Sequence, residues 1–174
     1  MNTGGECSHR LFFALWPDDE TRARLAQVAR ECSPRPVAEE KLHMTLHFLG
    51  DCSDELQACY AGAVAAVQCE PFELQLDCLG GRARSGIQWL SASEPPAALN
   101  RLVERLAEAL APCGYKPEKR RFLPHVTLSR KVKKPRVRTG LPAITWRVSE
   151  FVLAESVQSE GKARYLVRGR WSCE

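Results

Sequence analysis

His43-Met44-Thr45-Leu46 and His125-Val126-Thr127-Leu128 are two copies of one pattern, His-x-Thr-Leu, and they use two of the four histidines in a chain of 174 residues. An internal repeat of this kind has to be explained before anything else in the chain. In a strand, residues two apart share a face. His43 therefore projects beside Thr45, and His125 beside Thr127, while Met44, Leu46, Val126 and Leu128 turn the other way into apolar packing. Each copy reads as an apolar-backed strand that presents an imidazole next to a hydroxyl. Strand is favoured over helix because residues 42–49 form a short run closed by Gly50-Asp51, and residues 123–132 follow a basic, proline-containing stretch. Gly50 is expected to stop the first of these strands. A lone histidine in such a run is ordinarily a core residue with its hydrogen bonds satisfied; the duplicated context points instead to one site with two-fold character.

Outward from the two motifs, the pattern predicts strands over residues 11–16, 42–49, 72–79, 87–91, 123–131, 151–157 and 164–171, and helices near 18–32, 53–68 and 95–111. This is an α+β pattern. Asp18 and Ser53 are expected N-caps, and Pro95 and Pro96 suit a first helical turn. Leu99, Leu102, Val103, Leu106 and Leu110 make an apolar helix face that belongs in the core. Residues 158–162, with Gly161, read as a hairpin loop, and Pro34-Arg35-Pro36 and residues 135–142 as loops.

Length and composition predict one domain over residues 1–174, with a sizeable core and room for two lobes. The eight cysteines form no Cys-x-x-Cys pair, and residues 1–10 are polar without a signal-peptide pattern, so reduced structural thiols are expected. The apolar run at 11–16 is far too short to span a bilayer. The expectation is a soluble, cytoplasmic monomer with no membrane partner.

Charge is uneven along the chain. Ten basic residues and one acid, Glu118, lie between Lys116 and Arg138, whereas the whole chain carries a net charge of +4. A basic stripe flanking the second motif is what a polyanion such as RNA meets through its phosphates, although most charge runs are simply solvated surface.

The motifs, with Arg10-Leu11-Phe12-Phe13-Ala14-Leu15, His47-Phe48-Leu49-Gly50 and Pro124 through Arg130, resemble the 2H phosphoesterases. More narrowly, they resemble the bacterial RNA 2′,3′-cyclic phosphodiesterases, also called 2′-5′ RNA ligases of the LigT type, over nearly the whole chain. The resemblance implies a bilobal α+β fold: two pseudo-symmetric lobes with antiparallel sheets facing a central cleft, and helices outside. It also implies His43 as general acid to a leaving O3′, His125 as general base, a 2′-phosphate product, and a base contact from the segment after the first motif, where Phe48 stands. One departure is the stretch Val37-Ala38-Glu39-Glu40, which lacks an aromatic residue that some relatives carry.

The chemistry is consistent with the residues themselves. Opening a cyclic phosphodiester with water needs a base for the water proton and an acid for the departing oxygen, on opposite sides of phosphorus. Two facing imidazoles supply both. Thr45 and Thr127 can donate to non-bridging oxygens, and Arg130 can add a charge-assisted contact. No metal or other cofactor is expected. His43 and His47 would share a zinc-binding face on a helix, but on a strand they stand about 13 Å apart at roughly 3.3 Å per residue. His9 is expected in the polar N-terminal tail, His47 at the cleft rim, and Phe48 in the core on strand parity. Two other readings are a phosphodiesterase for a small cyclic nucleotide or an ADP-ribose cyclic phosphate, and a non-catalytic RNA-binding protein.

Overall fold

The structure, a computed structural model, describes residues 8–174. In chain order its elements are β1 (His9–Leu15), α1 (Asp19–Cys32), β2 (Met44–Cys52), α2 (Asp54–Val64), β3 (Phe72–Leu76), β4 (Cys78–Arg82), β5 (Ile87–Ser91), α3 (Ala97–Leu110), β6 (His125–Ser129), β7 (Ile144–Val148), β8 (Glu150–Ser159) and β9 (Lys162–Ser172). The strands form antiparallel sheets in the orders β2-β1-β8-β9, β4-β5-β6 and β3-β7. The α+β expectation holds. The strands outside the four-stranded sheet fall into two sheets, because the run expected over residues 72–79 breaks at Asp77. The Asp77 carboxylate accepts from the backbone and hydroxyl of Ser93 at 2.8 and 2.6 Å, so β3 pairs with β7 while β4 pairs with β5. Strand β7 is absent from the sequence expectation, although Ile144, Trp146 and Val148 alternate as buried residues.

Local chemistry sets the helix starts. Asp18 accepts from the Thr21 backbone at 2.7 Å and Ser53 from that of Leu56 at 3.3 Å, each satisfying one unpaired first-turn donor. Pro95 and Pro96 stand before α3, with Pro96 at its cap position and not in its first turn. The α3 stripe of Leu99, Leu102, Val103, Leu106 and Leu110 is buried as expected. Ser159 pairs with Lys162 across Glu160 and Gly161, both in the left-handed region, which is the two-residue turn that matches strand twist.

The four-stranded sheet has an apolar layer on each side. Leu11, Phe13, Leu15, Phe151 and Leu153 join the main core, against which α2 and α3 pack. Phe12, Ala14, Val152 and Ala154 line the opposite face with Trp16, Tyr165 and Val167. Helix α1 leaves β1 and packs instead on β6 and β7, so it ties the two halves of the molecule together. Strands β2 and β6 touch at the edges of their sheets without pairing. The Val37 N–H donates to the Leu128 carbonyl at 2.8 Å, and Pro36 bridges Ser129 alongside β6.

Gly50 does not stop β2. The strand runs through it to Cys52, with Gly50 in the left-handed region and two shifts in the register against β1. The shift between Thr45 and His47 reverses side-chain parity, which overturns two expectations. His47 is buried on the helix side, where its Nε2–H donates to the Val103 carbonyl at 2.7 Å and its Nδ1 accepts from the Tyr115 hydroxyl at 3.0 Å. Phe48, paired with Phe12, is instead 44 % exposed.

His9 also departs from expectation. It opens β1 and sets its two ring nitrogens against Glu155 at 2.8 Å and Asp54 at 2.7 Å, contacts that raise its pKa. Arg168 completes this cluster on the buried Glu155. The thiols differ too: Cys59 is bonded to Cys113 and Cys69 to Cys173, while Cys32, Cys52 and Cys78 are free. Packing of α2 beside the end of α3 joins the first pair. The second is joined where the Glu174 N–H donates to the Cys69 carbonyl at 2.8 Å. Cys7 lies outside the described residues. No described helix is long and apolar enough to cross a membrane.

Because Tyr115 is the donor that satisfies the buried Nδ1 of His47, Tyr115→Phe should cost about 1–3 kcal/mol of folding stability, the cost of an orphaned buried acceptor. Urea denaturation checks this. A loss below a few tenths of a kcal/mol would mean that the ring finds another partner.

Candidate active site

The local sequence places each motif histidine by the same device. The Nδ1 of His43 lies 2.7 Å from the carbonyl of Lys41, and the Nδ1 of His125 lies 2.7 Å from the carbonyl of Leu123. A carbonyl only accepts, so each Nδ1 carries hydrogen and Nε2 is the acceptor nitrogen of each neutral ring. Both rings are thereby held in the tautomer that exchanges a proton through Nε2. In the first motif that nitrogen is 3.1 Å from the Thr45 hydroxyl. In the second, Thr127 shares the His125 face of β6 and stands opposite Trp89 of β5. His43 precedes β2 by one residue and His125 opens β6, so the contact between these strands brings the motifs to one place.

Electrostatics agree with motifs that face each other. Burial is the main cause that pushes the His43 pKa down to about 4; the Lys41 carbonyl works against it, and the charges of Arg130 and His125 lower it further. Arg130, directly after β6, therefore acts on the histidine of the other motif. At neutral pH the ligand-free His43 ring is therefore held neutral. An anion bound beside this ring would counter Arg130 and favour the imidazolium.

Several neighbours are not marked by the motifs. Trp16 stacks on His43 with centroids 5.7 Å apart, while Phe12 and Tyr165 approach the same ring at 5.0 and 5.1 Å. Trp89 meets His125 edge-on at 6.0 Å. The period-two series Phe12, Ala14, Trp16 is the available sequence signal for the first wall; nothing local marks Tyr165, which arrives from β9. Phe48 lies on this same face of the four-stranded sheet, with the Arg10 guanidinium 5.1 Å from its ring centroid. His43 and His47 point to opposite faces of the sheet. No three His, Cys, Asp or Glu side chains gather as a metal-ligand group among the described residues. The arrangement offers two imidazole nitrogens able to exchange a proton, two hydroxyl donors and a guanidinium on neighbouring strand ends.

Known proteins resemble this chain in sequence and in fold. The family model described as the 2′-5′ RNA ligase superfamily matches residues 17–160. The chain is 34% identical over 169 residues to a protein of Escherichia coli named RNA 2′,3′-cyclic phosphodiesterase, covering 94% of this chain and 96% of that one. A protein of the same name from Thermus thermophilus is 33% identical over 166 residues, covering 84% and 81% of the two chains. Among solved structures, E. coli LigT complexed with 3′-AMP superposes with a TM-score of 0.87 at 31% identity, over 96% of this chain and 99% of that one.

The depressed His43 pKa has a measurable consequence. In the ligand-free protein, NMR titration of the His43 ring should show a midpoint near 4, and saturating inorganic phosphate should move it upward. The folded value lies below the ordinary 6.5, so stability held by the neutral ring is lost as pH falls from about 6.5 through 4. A midpoint above 6 in the free protein would contradict the burial of this ring beside Arg130.

Proposed function

The chain belongs to the 2′-5′ RNA ligase superfamily, and from that premise we propose that it hydrolyses RNA ends carrying a 2′,3′-cyclic phosphate, by metal-independent acid–base catalysis between His43 and His125. The observation that carries this reading is the matched pair of Nδ1 tethers, which makes Nε2 the acceptor nitrogen of both rings on touching strands. In the forward step the Nε2 of His125 takes a proton from water as its oxygen bonds to phosphorus. The bond from phosphorus to O3′ breaks, and the Nε2–H of His43 protonates the departing oxygen. The product carries a 2′-phosphate and a free 3′-hydroxyl, and proton exchange with solvent resets both rings. Thr45, Thr127 and Arg130 hold the non-bridging oxygens through hydroxyl and guanidinium donors. Phe48 offers a face for a base, in line with its exposure. With an RNA 5′-hydroxyl in place of water as the nucleophile, the same steps join two ends through a 2′-5′ linkage, O3′ again leaving.

One observation favours a second assignment of roles. His43 is readily kept neutral in the empty site, which is the state of a base. With the roles exchanged, His43 activates water and His125 protonates the leaving oxygen.

His43→Ala and His125→Ala should each lower turnover by about two to four orders of magnitude while the protein stays folded, and Thr45→Ala or Thr127→Ala should cost roughly 1.5–3 kcal/mol in kcat/KM. Folded histidine variants with near wild-type rates would overturn the mechanism. A cyclic end with sulfur in place of O3′ assigns the roles, because a thiolate leaves without an acid. Rescue of His43→Ala on this substrate, with His125→Ala still slow, is the expected result; the opposite pattern selects the exchanged assignment.

A further inference from the structure

All ten basic side chains between Lys116 and Arg138 are exposed, and among the described residues only Arg120 has a carboxylate within ion-pair reach, Glu118 at 3.4 Å. A solvated charge run ordinarily mixes signs and is loosely held. Residues 130–138 are neither mixed nor loose. Gln88, which is fully buried, donates to the carbonyls of Gly80 and Arg136 at 2.5 and 2.7 Å and accepts from the Arg136 backbone at 2.7 Å. Leu79 and Arg138 exchange two backbone hydrogen bonds at 2.7 and 2.9 Å, and Val132 donates to the Gly86 carbonyl at 2.9 Å. The approach is close enough to require glycine: a Cβ on Gly81 would meet Pro135 at 2.3 Å. Lys131, left-handed at φ 60°, turns the chain immediately after Arg130. The hairpin that joins β4 to β5 adds Arg82 and Arg84, both exposed and, among the described residues, without a carboxylate partner.

The fold thus commits a buried glutamine and a close glycine contact to holding like charges side by side, beginning at the residue that reaches the phosphate site. Such an arrangement is repulsive until a polyanion covers it. We propose that residues 131–138, with Arg82 and Arg84, form a track for the backbone phosphates of the RNA leading to the cyclic end. This rests on the hydrolase reading above. RNA is favoured over an acidic protein because the track is continuous with Arg130, so one strand can fill both the reacting site and the track.

The test compares wild type with the triple variant Lys131→Ala, Lys133→Ala, Lys134→Ala. Anisotropy measures binding of a labelled oligonucleotide of about ten nucleotides ending in a 2′-phosphate, across a salt series. Hydrolysis of a cyclic mononucleotide serves as the control. The variant should bind the oligonucleotide at least about tenfold more weakly at low salt, with a salt slope flatter by about 2, from roughly 0.7 per lost contact on a single strand. Its hydrolysis of the mononucleotide should match wild type. Unchanged binding or slope, equal losses on both substrates, or an equal loss of binding to poly-glutamate would overturn the track. Failure of wild type to hydrolyse either a cyclic oligonucleotide or the mononucleotide would overturn the hydrolase reading instead, with the binding arm still deciding the track.

Discussion

Each motif histidine is tied through Nδ1 to the carbonyl two residues before it, 2.7 Å away in both motifs. That short tether sets the tautomer and aims Nε2, and a strand entry suits it because the tethered carbonyl belongs to the segment leading into the strand. The larger architecture brings two such tethers together. Apolar residues behind β2 and β6, among them Met44, Leu46, Val126 and Leu128, sink the strands into one core. Helix α1 crosses from β1 to β6 and β7 and so fixes the sheets that carry the two motifs against each other.

The same packing creates an electrostatic tension. His43 sits against Trp16, Phe12 and Tyr165, and the apolar wall lowers its proton affinity while Arg130 lowers it further. A bound anion would counter both effects at once, so in the proposed mechanism His43 holds its proton best with the substrate in place. Catalysis of this kind gains from charge that is already in place before the reaction, since little reorganisation remains to be done at the transition state.

Much of this is legible from the repeat. His43, Thr45, His125 and Thr127 are marked by spacing alone, and the helix starts at Asp18 and Ser53 by cap chemistry. What escapes a sequence reading is non-local or depends on register. Strand parity predicts that His47 faces the cleft and Phe48 the core, and the shift in β2 between Thr45 and His47 reverses both. The break at Asp77 depends on Ser93, sixteen positions away. Tyr165 reaches His43 only because β9 pairs with β8 at that register. The two cysteine bonds join residues 54 and 104 positions apart, and spacing carries no sign of either.

Two equivalent histidine–threonine pairs can in principle cleave either ester of the cyclic phosphate, so the regiochemistry of the product reports how the ribose is oriented. Ligation to a 2′-5′ linkage and hydrolysis to a 2′-phosphate break the same bond, phosphorus to O3′. Phosphorus NMR of the product from a cyclic-phosphate-ended oligonucleotide, hydrolysed in excess EDTA, reads both halves of the central claim. A single 2′-phosphate resonance at an undiminished rate is the expected result. A predominant 3′-phosphate would show that the ribose sits in the opposite orientation, and loss of hydrolysis restored by added metal would contradict the two-histidine mechanism outright.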